Sequence, residues 1–484
     1  MNEAVVRDKS MAEMIEDHAL NRVPSNERKS GWWLSWLTMG ITSTLVQLLI
    51  GSVVTAMAGV GYGILAGICV WLFGGTLGWL VGRISFMEGV SSTVASRFYG
   101  LGARGSIIAS AIYGFMILGF LALENALLYY GTLFALGWKD TTAHRLLLYG
   151  ILTVLWIVLT TFGVKLVMRV SSILTIIFLA LLLFMVWKAG FTSGVSIGTI
   201  LSHGALIPNM GGTGSRFMQA LVTLAGSAGG LAMVDADYAR YAKSSRDVAV
   251  MAFAGLFIMD ILVVVCGTII MVGGAGPAAK YIVAHHMAAP GQAKTTVSQL
   301  AQNNTGAFFI ILSAVVGFIL MYAAQIKAQV LNTYSGSLAL TNFFDVLFKW
   351  RPGRFLMVIL GNLIGMGMVF AGILGTINAW LGMLGILTMS FSGVMISDYY
   401  WVRKRELAHH SEVESVNLAG VVSVIGASVI SYWLQQSHIF PLGFLASLIL
   451  TMVLYYGLRV AVLKPGMGTS LVQVDMSVRE EATE

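Results

Sequence analysis

Apolar runs of roughly 20 residues recur from one end of this chain to the other, each long enough to cross a hydrocarbon core of ~30 Å. In lipid every backbone N–H and C=O must find an internal partner, so runs of this kind fold as helices. Of the 484 residues, 57% are hydrophobic and 11% charged; a soluble chain carries about twice that charge. The sequence therefore reads as an all-α polytopic membrane protein. Twelve spans are expected, approximately at 32–58, 62–82, 106–136, 146–164, 169–188, 218–240, 247–272, 305–335, 354–373, 377–400, 414–434 and 440–461. Residues 1–30 and 462–484 read as cytoplasmic tails, the first without the apolar core of a cleavable signal. The 273–304 connection reads as a loop with a short interfacial helix.

Charge fixes the orientation. With the N-terminus inside, 22 of the 29 lysines and arginines fall on the cytoplasmic side and six outside, leaving Lys327 within a span. This asymmetry satisfies the positive-inside rule. It assigns the net charge of +7 to membrane orientation and anionic lipid, and nucleic acid is not an expected partner. The expected place is the plasma or inner membrane, with both termini cytoplasmic. Oligomeric state is left open, and a monomer suffices. Cys69 and Cys266 both lie in apolar segments, which argues against a disulfide framework or metal site. His285 and His286 have no ligand set around them. No nucleophile elbow, phosphate loop or zinc motif is found, so neither an enzyme nor a cofactor is expected.

All seven prolines read as loop or span-edge residues, so any helix break must come from glycine. The sixth span contains Gly226-Ser227-Ala228-Gly229-Gly230, and the first contains Gly51-Ser52. Interruptions in the first and sixth spans, five helices apart, are the pattern of two inverted five-helix repeats whose unwound backbone holds a solute. Close packing of helices through small residues is the alternative.

Several polar residues stand at depths where they are costly. Glu124 lies in the third span with Phe120 one turn before it, so a carboxyl and an aromatic ring share one helical face. That combination suits a flat heterocycle; a paired or protonated structural carboxyl is the alternative. In the eighth span Gln325, Gln329 and Asn332 form one stripe, and Lys327 points roughly 200° away from it at 100° per residue. A lysine so deep must pair, lose its proton or reach water. It could fill a cation site or serve as partner to a carboxylate such as Glu124. Gln47 precedes Gly51 by one turn, and its amide can both donate and accept. Asp260 in the seventh span reads as structural or as near an aqueous crevice.

Three motifs carry a resemblance. Asp237-Tyr238-Ala-Arg240-Tyr241 follows the sixth span, Asn332-Thr-Tyr334-Ser335-Gly-Ser337-Leu-Ala-Leu lies in the eighth, and Asp398-Tyr399-Tyr400-Trp-Val-Arg403 ends the tenth. In this order they resemble the nucleobase–cation symporter family of purine, cytosine, allantoin and hydantoin permeases, over about residues 30–460. The resemblance implies a LeuT-like fold: a first inverted repeat at 31–188, a second at 218–400, and two further helices at 414–461. It implies a secondary active transporter, a permease importing a nucleobase or related nitrogen heterocycle. Carried over by position, the substrate site would involve Gln47, Gly51, Phe120, Glu124, Gly226, Ser227, Ala228, Gly229, Gln329, Asn332 and Thr333. Relatives often carry tryptophan and glutamine where this chain has Phe120 and Glu124. Some place a stacking tryptophan where it has Ser227 and Ala228. Sodium-coupled relatives have hydroxyl residues where it has Lys327-Ala328. The expectation is that the Lys327 ammonium replaces sodium and that coupling is to protons or absent, with Glu124 as proton carrier or as charge partner of the substrate. A sodium-coupled permease, or a transporter of an amino acid or cationic amine on the same fold, is the alternative.

Overall fold

A computed structural model describes residues 22–474 apart from 162–163, 208–209, 351–352 and 410–411. Most of the expected N-terminal tail and the end of the C-terminal tail lie outside the described residues. Among those described, ten helices are long and apolar enough to cross a bilayer, and one bent pair makes an eleventh span. The shorter apolar helix Arg354–Phe370 stands where the ninth span is expected. The chain is a multi-pass membrane protein.

The first span is the bent pair, Gly31–Thr42 and Leu45–Ala58, at 70°. The second to fifth are Val60–Glu88, Ile107–Leu136, Thr142–Thr161 and Val164–Phe191, and the sixth is Thr213–Ala239. The seventh runs from Ser245–Phe257 through a π-turn, Ile258–Leu262, into Val263–Ala284. The eighth is Ala314–Phe348, the tenth Ile377–Ile396 with a π-turn to Val402, the eleventh Leu418–Gln436 and the twelfth Gly443–Gly457. The first, second, sixth and seventh spans pack on one another, and the third, fourth, eighth and ninth make a second group.

Four expectations about breaks are corrected. The sixth span is one uninterrupted helix through Gly226–Gly230. Its glycines serve close approach instead: a Cβ on Gly226 would lie 2.4 Å from the Leu381 carbonyl oxygen, and one on Gly229 2.4 Å from Thr388 Oγ1. The first span does break, but at Ser43-Thr44 and not at Gly51, which lies inside Leu45–Ala58 against the Val264 backbone. Pro277 lies inside the helix Val263–Ala284 and not in a loop, two turns before its C-terminal end. The segment from 305 is split at Ser313, so Thr305–Leu312 is a separate helix. Gly317 permits this: a Cβ there would lie 2.4 Å from the Phe309 carbonyl oxygen.

The motif residues fasten the segment between the second and third spans. Asp237 Oδ1 accepts from the Ser92 N–H at 2.7 Å and from Ser92 Oγ at 2.8 Å. Asp398 Oδ2 accepts from the Gly100 N–H at 2.8 Å, and Arg403 donates to the Phe98 carbonyl.

Candidate functional site

The break in the first span exposes two helix ends of opposite polarity. A helix leaves unsatisfied carbonyls at its C-terminus and N–H groups at its N-terminus, with partial negative and positive charge. At Ser43-Thr44 both ends meet an ionisable side chain from the other helix group. Lys327 Nζ donates to the Gly40 carbonyl at 2.9 Å, to Ser43 Oγ at 2.8 Å and to the Ser43 carbonyl. It also sits 4.6 Å over the Phe178 ring of the fifth span. A cation thus closes the carbonyl end. On the other side, Thr44 is the N-cap of Leu45–Ala58, its side chain accepting from the Gln47 N–H at 3.3 Å. The Glu124 carboxyl faces the Thr44 hydroxyl and the Val46 N–H. A carboxyl group thus closes the amide end.

Beside the break lies a small cavity. Gln47, Phe120, Glu124, Ser227 and Asn332, all read from the sequence, line it together with Thr44, Met116, Leu231, Val234 and Met259. Gln47, Glu124, Ser227 and Asn332 are buried there. Two acceptor atoms have no hydrogen-bond partner among the described residues: Gln47 Oε1 and Glu124 Oε2. Ser227 Oγ donates to the Leu224 carbonyl at 2.9 Å, which leaves its lone pairs free. The Phe120 ring forms the aromatic wall, backed edge-on by Trp380 of the tenth span at 5.0 Å and 88°. The cavity therefore offers a flat apolar surface and an excess of acceptors.

The remaining expected residues stand outside the cavity lining. Gly51 packs on Val264, Gly226 on Leu381, Gly229 on Thr388, and Ala228 lies against the glycine at position 74 of the second span. Gln329 donates to the Leu121 carbonyl and to Asn125 Oδ1, both at 2.9 Å, and accepts from Asn332 Nδ2 at 3.4 Å. With each of its polar atoms engaged, Gln329 positions Asn332 and binds the eighth span to the third. Thr333 is buried, with Oγ1 unpartnered among the described residues. Thr44 and Trp380 are additions to the expected set. Thr44 had a signal, since Thr44-Leu-Val-Gln47 is a threonine followed three residues later by glutamine, the pattern of a capping box. Trp380 had none, because nothing local tells which ring of the tenth span reaches Phe120.

No family model matches the chain, and no curated protein matches it by sequence. Solved structures do match. A structure of Mhp1, a nucleobase-cation-symport-1 family transporter, in a closed conformation with bromovinylhydantoin bound, aligns at a TM-score of 0.67 and 20% identity, over 91% of this chain and 95% of that one. An inward-facing conformation of Mhp1 aligns at 0.67 and 20%, over 90% and 92%. A substrate-bound, outward-open Na⁺-coupled sialic acid symporter aligns at 0.63 and 11%, over 96% of each chain. The chain has the LeuT-like fold of these transporters over nine-tenths of its length.

Proposed function

We propose that this protein is a secondary active transporter that imports a nucleobase or a related small nitrogen heterocycle across the cell membrane by proton symport. The observation that carries the reading is the cavity at the first-span break, where unpaired acceptors on Gln47 and Glu124 face an aromatic wall at Phe120. A ring with N–H groups satisfies those acceptors and stacks on the phenyl face. Rocking of the first, second, sixth and seventh spans against the other helix group would open the cavity to each side in turn. Lys327 fills the place of a coupling cation: its ammonium holds the freed carbonyls of Gly40 and Ser43, as a bound Na⁺ would. Coupling then falls to protons, with Glu124 either carrying the proton or meeting the solute. The same Oε2 of Glu124 favours one second reading, transport of a cationic amine.

A thermal-shift panel separates these readings. Purified protein is heated with cytosine, hypoxanthine, allantoin, a hydantoin and cationic amines, with and without sodium. A ligand at 100 times its Kd stabilises by about 2.7 kcal/mol. A shift by neutral heterocycles that sodium does not change is the expected result. A shift by cationic amines alone, abolished in Glu124→Gln, replaces the heterocycle reading with the amine one. Strong sodium dependence in the unsubstituted protein overturns the role given to Lys327.

A further inference from the structure

Asp260 belongs to no part of the mechanism above, yet its setting is unusual. It lies in the π-turn Ile258–Leu262, where the seventh span carries an extra residue, a device frequent at functional sites. The residue is 0% exposed, and neither carboxyl oxygen has a hydrogen-bond partner among the described residues. Its chain neighbour Met259 lines the cavity. The turns that follow pack on the second half of the first span: Val264 against Gly51, Gly267 against the Leu48 carbonyl, and Thr268 Oγ1 2.5 Å from Thr55 Oγ1.

Among the described residues no countercharge is at hand. The first span, Gly31–Thr42 and Leu45–Ala58, contains no titratable residue. The second meets the Asp260 backbone at Gly67, and its titratable groups are Tyr62, Cys69, Arg83 and Glu88. Arg83, the nearer of its two charges, lies ~24 Å along the helix from Gly67 at 1.5 Å per residue. On the seventh span itself Arg246 and Asp247 sit at the first turn, Cys266 beyond the π-turn, and Lys280 and Tyr281 at the far end. In the sixth span Asp235 is likewise buried without a partner, but it meets Gly78 of the second span, within the helix group. An ionised carboxylate with neither donor nor countercharge is heavily disfavoured, whereas the acid form asks only for a weak neutral environment.

We propose that Asp260 is a proton-binding site of the transport cycle, loaded and emptied through the cavity beside Met259, and that Glu124 meets the solute. This deepens the proton-symport reading and rests on it. The step is a bare proton transfer: the Asp260 O–H bond breaks when the cavity opens, the proton passes to water there, and the carboxylate is left until reprotonated from the opposite side. Because Asp260 belongs to the first helix group and Glu124 to the second, proton and solute are held on the two bodies that move apart.

The full chain reconstituted in vesicles tests this by infrared spectroscopy and by uptake. The unsubstituted protein should show a neutral-carboxyl stretching band that exchanges with deuterium and responds to buffer pH. Asp260→Asn should lack it, while Asp235→Asn and Glu124→Gln keep it. An inward proton gradient of one pH unit should drive up to about tenfold accumulation for one proton per solute, read with labelled cytosine, hypoxanthine and allantoin. Asp260→Asn should equilibrate the same solutes without accumulating them, which also shows that it folds. An unchanged band, or undiminished accumulation, in Asp260→Asn overturns the proposal. If the band behaves as expected but the unsubstituted protein accumulates none of the three solutes, the proton site stands and the heterocycle reading fails.

Discussion

Thr44 marks the point at which the first span stops being one helix. Its side chain caps the second half-helix, and the capping pattern with Gln47 was present in the sequence. The break precedes Gly51 by seven residues, because glycine only permits an interruption while an N-cap hydroxyl stabilises one. Thr44→Ala should lower stability by about 1 kcal/mol and Thr44→Ser should not, measured by thermal unfolding in detergent. Lys327 was the more legible residue. Helical spacing alone separated it from the Gln325, Gln329 and Asn332 stripe, and in the structure the stripe binds the third span while the lysine reaches the first. What spacing could not supply was the identity of its partners, since Gly40 and Ser43 present backbone carbonyls that only the break sets free. In Lys327→Ala those carbonyls lose their donor, at about 1–3 kcal/mol for each buried group left unpaired. The variant should therefore unfold earlier in potassium buffer and recover in sodium, whereas the unsubstituted protein should respond equally to both. Equal sodium response in the two proteins would falsify the cation-replacement argument.

At the scale of the helix, the sixth span shows why glycine content is a poor guide to breaks. Three glycines in five residues are compatible with either unwinding or close packing, and only the neighbour decides. Here the neighbour is the tenth span, whose backbone approaches so closely that a Cβ on Gly226 would meet the Leu381 carbonyl oxygen at 2.4 Å. The helix stays whole and the space is taken by contact. The two accounts differ in sign for Gly226→Ala. Helix propensity alone would stabilise by roughly 0.5–1 kcal/mol, but overpacking against a backbone costs typically about 1–3 kcal/mol. Gly226→Ala should therefore lower the unfolding temperature. Gly61→Ala, in the second span with nothing within 4 Å of the added carbon, should raise it slightly or leave it unchanged. A stabilised Gly226→Ala would mean that the tenth span yields and that the glycine serves unwinding after all.

Across the whole molecule, hydropathy was legible in ten long apolar helices and the bent pair among the described residues, since burial in lipid imposes it on every span. It carried nothing about how the polar segment before the first span is held, because its contacts are to residues distant in the chain. That segment is strapped to one end of the first helix group, which lines one side of the cavity. Val23 donates to the Gly89 carbonyl at 2.9 Å, and Arg22 pairs with Glu88 at 3.0 Å. Lys29 makes a parallel bridge to the chain after the sixth span, its N–H donating to the Tyr241 carbonyl. The Gly31 N–H then donates to Asp247 Oδ1 of the seventh span at 2.6 Å, where the first half-span begins. The half-helix Gly31–Thr42 is thus fixed at one end by the strap and at the other by Lys327, while the 70° break gives it a pivot. For the cavity to open towards the strap's side, this half-helix must also bend at the break away from the seventh span, and the Gly31–Asp247 bond resists that bending. A hydrogen bond to a charged acceptor contributes about 1.5 kcal/mol, so its removal should raise the open population by up to about tenfold. The measure is thiol labelling at Val234→Cys, a cavity position, after Cys69 and Cys266 have been replaced. With an impermeant reagent supplied from the strap's side, Asp247→Ala should label several-fold faster than its parent, and Lys327→Ala in potassium should do the same from the other end of the half-helix. If neither substitution changes the rate, the half-helix is not the moving part on this side, and opening must come from the helices opposite it.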